Sequence, residues 1–197
     1  MREIQEYFQN KSVAFVGGAP HLKGLGEEID SFDIVWRSNL FPHGDPDDTG
    51  SRCDIITCIK DFASNAPKDS LVITYRPHPR SDFLINTFQR LSISNYCGDI
   101  FDEDINQPTT GMISWYFATI LGRCEKFKFF GITGYQKGKH YTEEWMEKVG
   151  GKEFYEEADY ENHPNHNFDA QARVFKKLYG KGYLDMDDES KKYFDLD

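Results

Sequence analysis

A glycine-rich stretch near the start of the chain has the residue types that hold anions with backbone groups. Gly17, Gly18 and Ala19 directly follow an apolar run at Val13–Val16, which predicts a buried strand. A glycine loop after such a strand lets backbone N–H groups approach a phosphate, and a helix that begins beyond the loop favours negative charge. The stretch therefore predicts a phosphate or carboxylate site, although a glycine-rich turn between two core strands would contain the same residues.

The loop fits neither of the two commonest nucleotide-binding patterns. The phosphate-loop pattern fails because Lys23 precedes Gly24 and no Ser or Thr follows. The dinucleotide pattern fails because Ile29 stands where its third glycine is needed. The second apolar run ends in Arg37 and Asn39, and a guanidinium beside an amide suits a phosphate or a carboxylate better than a ribose diol. Both residues are therefore predicted to contact the ligand.

A second anion-binding signal lies at Thr109, Thr110 and Gly111. Pro108 prevents a helix from continuing into this turn from upstream, Thr109 is a good N-cap, and Gly111 adds no bulk to the first helical turn. A helix N-terminus with hydroxyls and little bulk is suited to bind an anion. Without further context, an ordinary capped core helix explains the same residues.

Two of the six histidines follow these segments and have the chemistry to transfer protons. His140 is followed by Tyr141, and His166 precedes an apolar stripe with helical spacing. Imidazole titrates near neutral pH, as a proton-transfer group should. The structural alternative for His166 is a cap for the helix that follows it.

In order and spacing, these segments resemble the sialyl motifs of the sialyltransferases of glycosyltransferase family 29. The family's large motif is an apolar strand and a glycine, followed by Leu-x-Gly, Asp-Ser-x-Asp, Arg-x-Asn and Gly-Ser-Lys. The matching residues here are Gly17, Leu22-Lys23-Gly24, Asp30-Ser31-Phe32-Asp33, Arg37-Ser38-Asn39 and Gly50-Ser51-Arg52. The chain departs from the motif at Gly18, where the family usually has an asparagine that contacts the nucleotide.

The remaining motifs follow in the family's order. Pro108–Met112 resembles the small motif, His140-Tyr141 resembles the third motif, and His166 resembles the start of the very small motif. The family has a glutamate five positions after that last histidine, whereas this chain has Gln171. An amide can form hydrogen bonds there, but it cannot raise the pKa of an imidazole by its charge.

The resemblance implies an inverting, metal-independent enzyme that transfers sialic acid from CMP-sialic acid to a glycan hydroxyl, with no cofactor. Its partners would be this nucleotide-sugar donor and a glycan acceptor. The implied donor-binding residues are Gly17, Gly18, Ala19, Arg37, Asn39, Thr109, Thr110, Gly111 and Tyr141. His166 would act as general base on the acceptor hydroxyl, and His140 would stabilise or protonate the departing phosphate.

Two alternatives to this function remain open from the sequence. In one, the donor is a different CMP-nonulosonate, such as CMP-Kdn or CMP-Kdo. In the other, the chain is a degenerate nucleotide-binding module that binds CMP or CDP without turnover. Gly18 and Gln171, which replace an asparagine and a glutamate of the family, both favour the second alternative.

Apolar runs alternate with helical patterns along the chain. The predicted strands are Val13–Val16, Asp33–Trp36, Asp54–Thr57, Leu71–Thr74 and Lys126–Phe130. The predicted helices are Arg2–Gln9, Ser81–Leu91, Thr110–Leu121 and His166–Tyr179, with a surface loop at Asp99–Gln107 and a tail, Asp185–Asp197, that fits either a last helix or a loose end. This alternation predicts an α/β fold whose mostly parallel sheet has helices on both faces. With the resemblance, it predicts a single Rossmann-like domain of variant GT-A type over residues 1–197.

Composition limits the classes of partner and compartment. The net charge of −10 argues against nucleic acid, because no basic surface is present to neutralise phosphates. No apolar run is long enough to span a membrane and the N-terminus is polar, so a cytoplasmic location is expected. Acidic triplets begin at Asp45, Asp102 and Asp185 and look like the D-x-D signature of metal-dependent glycosyltransferases. None clearly follows a hydrophobic strand, so no metal site is predicted.

Overall fold

Parallel strands form the centre of the molecule. The computed structural model describes residues 2–42, 44–58, 60–85, 87–134 and 166–196. Seven strands within these ranges make one sheet, and every pairing in it is parallel. They are β1 (Ser12–Val16), β2 (Ile34–Ser38), β3 (Ile55–Cys58), β4 (Leu71–Thr74), β5 (Phe83–Leu84), β6 (Lys126–Phe130) and β7 (Asp185–Met186), in the order β5-β4-β3-β2-β1-β6-β7.

Helices cover both faces of this sheet. They are α1 (Arg2–Phe8), α2 (Gly26–Asp30), α3 (Pro46–Thr49), α4 (Thr87–Phe101), α5 (Thr110–Trp115), which continues as a π-helix over Tyr116–Leu121, α6 (Phe168–Gly180) and α7 (Asp188–Tyr193). Because side chains alternate along a strand, Phe15 and Trp36 point into the main apolar core, which includes residues of α4, α5 and α6. Val16 and Val35 pack with Ile29 of α2 on the opposite face. The predicted α/β, Rossmann-like architecture is thus confirmed.

The order of the strands reverses beside β1. Val13–Val16 of β1 pairs with Ile34–Arg37 on one side and with Phe127–Phe130 on the other. The chain therefore leaves β1 towards one edge of the sheet and later returns to build the other edge. In open parallel sheets, ligands bind beyond the carboxyl ends of the strands at such a reversal.

Polar side chains fasten α2 to the segment that enters β3. The Asp30 carboxylate accepts hydrogen bonds from the Ser51 N–H at 2.7 Å, the Ser51 hydroxyl at 2.7 Å and the Arg52 N–H at 3.0 Å. Arg52 donates to the carbonyls of Asp30 and Phe32 and pairs with Asp54 at 2.8 Å. The Asp-Ser-x-Asp and Gly-Ser-Arg segments, which both belong to the large-motif resemblance, are thus hydrogen-bonded to each other. These bonds hold the end of α2 against the loop before β3.

The helix predicted over Ser81–Leu91 is wrong in its first half, because the helix in the structure begins only at Thr87. Phe83–Leu84 forms the edge strand β5, and the backbone ladder continues with a 2.9 Å hydrogen bond from the Ile85 N–H to the Thr74 carbonyl. Ile85 is buried, so the segment is held as an extended edge of the sheet before α4 begins at Thr87.

Helix α4 continues ten residues past its predicted end at Leu91 and includes the first three residues of the loop predicted over Asp99–Gln107, because it ends at Phe101. Leu91, at the end of the predicted helix, is 52% exposed. The face of α4 that reaches the core carries Ile93, Cys97 and Phe101, which have the four-residue spacing of a helix.

The C-terminal tail from Asp185, for which the sequence left two possibilities open, forms a strand and a helix. It adds β7 to the edge of the sheet beside β6 and then forms α7. The other predicted strands and helices agree with the structure to within about two residues at each end. In the described ranges, no helix is long and apolar enough to cross a membrane.

Candidate active site

A cleft lies at the carboxyl ends of the central strands. Gly17 and Gly18 line it after β1, Ser38 and Asn39 line it at the end of β2, and the segment Gly131–Gly134 lines it after β6. The N-terminus of α5 and the first two turns of α6 complete the described part of the wall. The predicted donor-binding residues that the structure brings together here are Gly17, Gly18, Asn39, Thr109, Thr110 and Gly111.

Two glycines let the ends of β1 and β6 approach each other beneath the cleft. The Gly17 N–H donates to the Phe130 carbonyl at 2.8 Å, and the Ala19 N–H donates to the Gly131 carbonyl at 3.1 Å. A Cβ atom at Gly17 would lie 2.4 Å from the Gly131 carbonyl oxygen. Gly131 itself has φ of 63°, a left-handed conformation that glycine adopts at low cost. Packing therefore requires glycine at position 17, and backbone conformation favours it at position 131.

Asn39 enters the cleft through a turn at the end of β2. Its φ of 61° is left-handed, which asparagine tolerates better than most residues. The Asn39 N–H donates to the Thr57 carbonyl at 2.8 Å, and its side-chain amide donates to the Ser38 hydroxyl at 3.4 Å. The turn therefore places Asn39 in the lining of the same cleft as Gly17 and Gly18, and its contact with a ligand stays a prediction.

The N-terminus of α5 is held by a residue that directly follows strand β4. Thr109 is the N-cap in extended conformation and makes no side-chain cap hydrogen bond. The Thr110 hydroxyl lies 2.8 Å from the phenolic oxygen of Tyr75, and burial raises the pKa of Tyr75 to about 12, so this phenol stays neutral. Sequence reasoning missed Tyr75, although its place directly after β4 puts it at the carboxyl edge of the sheet.

The described lining residues of the cleft include no Asp, Glu, Lys or Arg. The N-terminal turns of both α5 and α6 border the cleft, and the backbone N–H groups at a helix N-terminus carry partial positive charge. Such a site favours an anion by backbone groups and hydroxyls rather than by cationic side chains.

His166 lies next to the cleft, just before α6. Its ring stacks on Phe168, which lines the cleft, with 5.2 Å between the ring centroids. Its Nδ1 lies 2.8 Å from the Gln107 carbonyl oxygen. A carbonyl only accepts hydrogen bonds, so Nδ1 carries the proton in the neutral ring and Nε2 has the basic lone pair.

A buried carboxylate braces the segment after β6. Asp187, the N-cap of α7, accepts a hydrogen bond from the Gly131 N–H at 2.9 Å and from the Ser190 hydroxyl. The Ser190 oxygen in turn accepts from the Ile132 N–H at 3.1 Å, and His21 Nε2 lies 3.4 Å from the carboxylate. This cluster joins the glycine loop, the cleft wall and the C-terminal helix, and no sequence motif indicated it.

Removing the charge of Asp187 is expected to destabilise the fold. Burial by itself would raise the pKa of this carboxyl, but hydrogen bonds from His21, Ser190 and the Gly131 N–H outweigh it and lower the pKa below its ordinary value. Stability from Asp187 is therefore fully present above the unfolded-state pKa of about 3.9 and is lost as pH falls below it. We expect Asp187→Asn to cost about 1–3 kcal/mol at pH 7 in urea unfolding, because it weakens buried hydrogen bonds.

The neighbouring exposed residue provides the control for this variant. Asp188→Asn, on the solvent side of the same turn, is expected to change the free energy of unfolding by less than about 0.5 kcal/mol. The difference between wild type and Asp187→Asn should shrink below about pH 4. A difference that stays constant down to pH 3 would contradict the assigned role.

The structure does not bring Arg37 to the cleft. The side chain lies on the same face of β2 as Val35, where its Nε donates to the Arg52 carbonyl at 2.8 Å and its guanidinium lies 4.8 Å from the centre of the Phe41 ring. Burial lowers the pKa of Arg37 to about 10. These contacts are structural, and donor binding by Arg37 stays a prediction.

Ala19 is not among the described residues that line the cleft. Ala19 is buried, and its observed contact is the backbone hydrogen bond to Gly131, so its role in donor binding stays a prediction. His140 and Tyr141 fall outside the described residues.

The acidic triplets make structural contacts. Asp45 caps α3 by accepting from the Asp47 N–H at 3.0 Å. Glu103 pairs with Arg173 at 2.9 Å and with Lys177 at 2.8 Å, and Asp187 belongs to the brace described above. Within the described ranges, no group of three or more His, Cys, Asp or Glu residues is arranged to hold a metal ion.

Comparison with known proteins connects this fold to sialyltransferases. No family model matches the chain, and no curated protein matches it in sequence. Among solved structures, a mammalian sialyltransferase in complex with Gal-beta-1-3GalNAc-ortho-nitrophenol superposes with a TM-score of 0.63 at 18% identity, over 92% of this chain and 71% of that chain. The sialyltransferase CstII from Campylobacter jejuni, in complex with the substrate analogue CMP-3FNeuAc, gives a TM-score of 0.50 at 16% identity, over 89% of this chain and 80% of that chain. At these identities the likeness is one of fold, and it confirms the predicted GT-A-like architecture.

Proposed function

We propose that this chain is a sialyltransferase-like glycosyltransferase related to glycosyltransferase family 29, which moves sialic acid from CMP-sialic acid to a glycan hydroxyl. The observation that carries the proposal is the convergence of separate motif residues at one cleft. Gly17, Asn39, Thr110 and Gly111 come from three segments of the chain and line the same cleft, and His166 lies beside it. The fold that positions them is the one seen in sialyltransferases.

The described lining of the cleft, which has no charged side chain, suits a donor that has two anionic groups, a phosphodiester and a carboxylate. In this proposal the Gly18 N–H and the Asn39 amide bind the CMP part, and Gly17, whose own N–H is bonded to the Phe130 carbonyl, lets the donor approach the backbone closely. The first N–H groups of α5, at Thr110 and Gly111, hold the sugar carboxylate. Positive ends of helix dipoles attract both groups without the desolvation cost of a buried Lys or Arg.

The proposed reaction is a single displacement that inverts the anomeric centre. Nε2 of His166 takes the proton of the acceptor hydroxyl while that oxygen forms a bond to the anomeric carbon. The bond from the anomeric carbon to the phosphate oxygen breaks, and CMP departs with the electron pair. A nucleoside monophosphate leaving group carries less charge than a diphosphate, so no metal is included in the proposal. His140 and Tyr141 keep the roles that the family resemblance implies.

CMP release from CMP-sialic acid, measured with a panel of glycan acceptors, tests this function. We expect release that depends on the added acceptor. Release from CMP-Kdn or CMP-Kdo alone would assign a different donor to the same site. Thermal stabilisation by CMP without release from any donor would instead identify a nucleotide-binding module, as Gly18 allows.

A further inference from the structure

The side chain of Gln171 lies between two backbone groups, one of which donates a hydrogen bond while the other accepts one. It lies one turn into α6, is only 2% exposed and lines the cleft. Its Oε1 accepts from the Thr109 N–H at 2.7 Å, and its Nε2 donates to the Gln107 carbonyl at 3.1 Å. The side chain thus meets one donor and one acceptor, both in the turn that leads into α5.

The same carbonyl also orients the histidine. The Gln107 oxygen accepts from Nδ1 of His166 at 2.8 Å as well as from Gln171. A carbonyl oxygen has two lone pairs, so both are used by these two bonds. Moving this carbonyl would move the partner that fixes the tautomer and the orientation of the imidazole.

An ionised glutamate at position 171 would satisfy only half of this arrangement. One carboxylate oxygen could accept from the Thr109 N–H, but the other would face the Gln107 carbonyl, and two acceptors repel each other. It would also add negative charge to a cleft whose described lining has none and whose proposed ligand is anionic. An amide matches both neighbours and stays neutral at every pH.

We propose that Gln171 is a positioning residue, whose amide clamps the Gln107–Thr109 turn and thereby holds His166 in its Nδ1–H tautomer beside the cleft. This inference rests on the proposed function for its effect on turnover. The clamp itself is independent of any donor. The glutamine that departs from the family pattern is therefore a part of this chain's site and not a sign of lost function.

Gln171→Glu and Gln171→Leu separate the clamp from a simple packing role. At pH 8 we expect kcat for CMP release to fall about 10-fold or more in both variants, as is typical when a group that orients a functional side chain is removed. As pH is lowered towards 5, a protonated glutamic acid regains a donor for the Gln107 carbonyl. The ratio of Gln171→Glu to wild-type kcat should therefore rise several-fold, while the ratio for Gln171→Leu stays flat.

The ratio to wild-type kcat cancels only the titrations that a substitution leaves unchanged. Gln171→Leu adds no charge near His166 and Asp169, in the segment that opens α6, and is therefore the reference for Gln171→Glu. Gln9→Glu provides a matched control, because it adds the same charge at an exposed position in the turn after α1 and is expected to leave kcat unchanged.

A second measurement needs no turnover. In ¹⁵N spectra of histidine-labelled protein, neutral His166 should show the Nδ1–H tautomer in wild type and a shift towards Nε2–H in Gln171→Leu. If Gln171→Glu folds poorly at pH 8, its free energy of unfolding should recover relative to Gln171→Leu as pH falls. An unchanged tautomer in Gln171→Leu, or a Gln171→Glu variant that gains neither turnover nor stability at lower pH, overturns the clamp. If wild type shows no turnover but the tautomer of His166 changes as expected in Gln171→Leu, the result counts against the proposed function and not against the clamp.

Discussion

Replacing His166 by alanine is expected to lower kcat for CMP release about 10²–10⁴-fold, the range for loss of a general base. The structure supports this expectation through the hydrogen bond from Nδ1 to the Gln107 carbonyl, which leaves the basic lone pair on Nε2. The ring also stacks on Phe168 of the cleft wall. Stabilisation by CMP should persist, because the proposed CMP contacts are made by Gly18 and Asn39. Parallel assays of CMP release and of the CMP-induced change in Tm measure the two effects.

Two further variants test whether a loss of turnover in His166→Ala is due to the missing base at this position. His166→Asn keeps an N–H that can donate to Gln107 but has no base, so it should fold like wild type and still lose turnover. His78→Asn changes a histidine in the loop after β4, where Nδ1 accepts from the Arg80 N–H at 3.1 Å, and should retain turnover. Equal turnover in wild type and His166→Ala would remove His166 from the mechanism.

The strands of the sheet could be predicted because their signals are local. Val13–Val16 and Lys126–Phe130 are short apolar runs bounded by polar residues and glycine, and the structure confirms both as strands. The edge of the sheet could not be predicted in this way. Phe83–Leu84 has no strong strand pattern, and it is extended because β4 offers a free edge.

The candidate site was partly predictable for a similar reason. Gly17, Asn39 and Thr110 follow strands or begin helices, so order along the chain placed them at one edge of the sheet. Arg37 shows where this reasoning fails. Position 37 is still inside β2, where side chains alternate between faces, so a shift of one residue decides whether a side chain reaches the cleft.

Contacts between segments that are distant in the sequence could not be predicted from sequence patterns. Asp187 meets Gly131 and His21 only because β7 and α7 pack beside β6, and the sequence did not establish whether the tail folds. From the sequence alone, Gln171 is only the replacement of a charged glutamate of the very small motif by a neutral amide. Its two hydrogen bonds to the turn before α5 show that an amide fits the position better than a carboxylate.

Substitution of Gly17 by alanine is expected to damage both the fold and the site. The new Cβ would lie 2.4 Å from the Gly131 carbonyl oxygen and 3.0 Å from Cγ2 of Ile132, so the ends of β1 and β6 would have to separate. Overpacking of this kind costs about 1–3 kcal/mol. For a chain of this size that corresponds to a fall in Tm of about 2–12 °C. Thermal unfolding with and without CMP measures the loss of stability and the loss of binding together.

Gly180→Ala is the matched control for this variant, because a Cβ there meets no atom within 4 Å. Alanine at the end of α6 is expected to leave stability unchanged or to raise it by up to about 1 kcal/mol. If Gly17→Ala kept both the wild-type Tm and the wild-type response to CMP, the close approach of β1 and β6 would not be needed for the cleft. A lower Tm with a normal response to CMP would limit Gly17 to a role in packing. Loss of the CMP response together with a lower Tm is expected, because the Gly17 and Ala19 N–H groups bond to β6 and the Gly131 that follows it at the place where the cleft is formed.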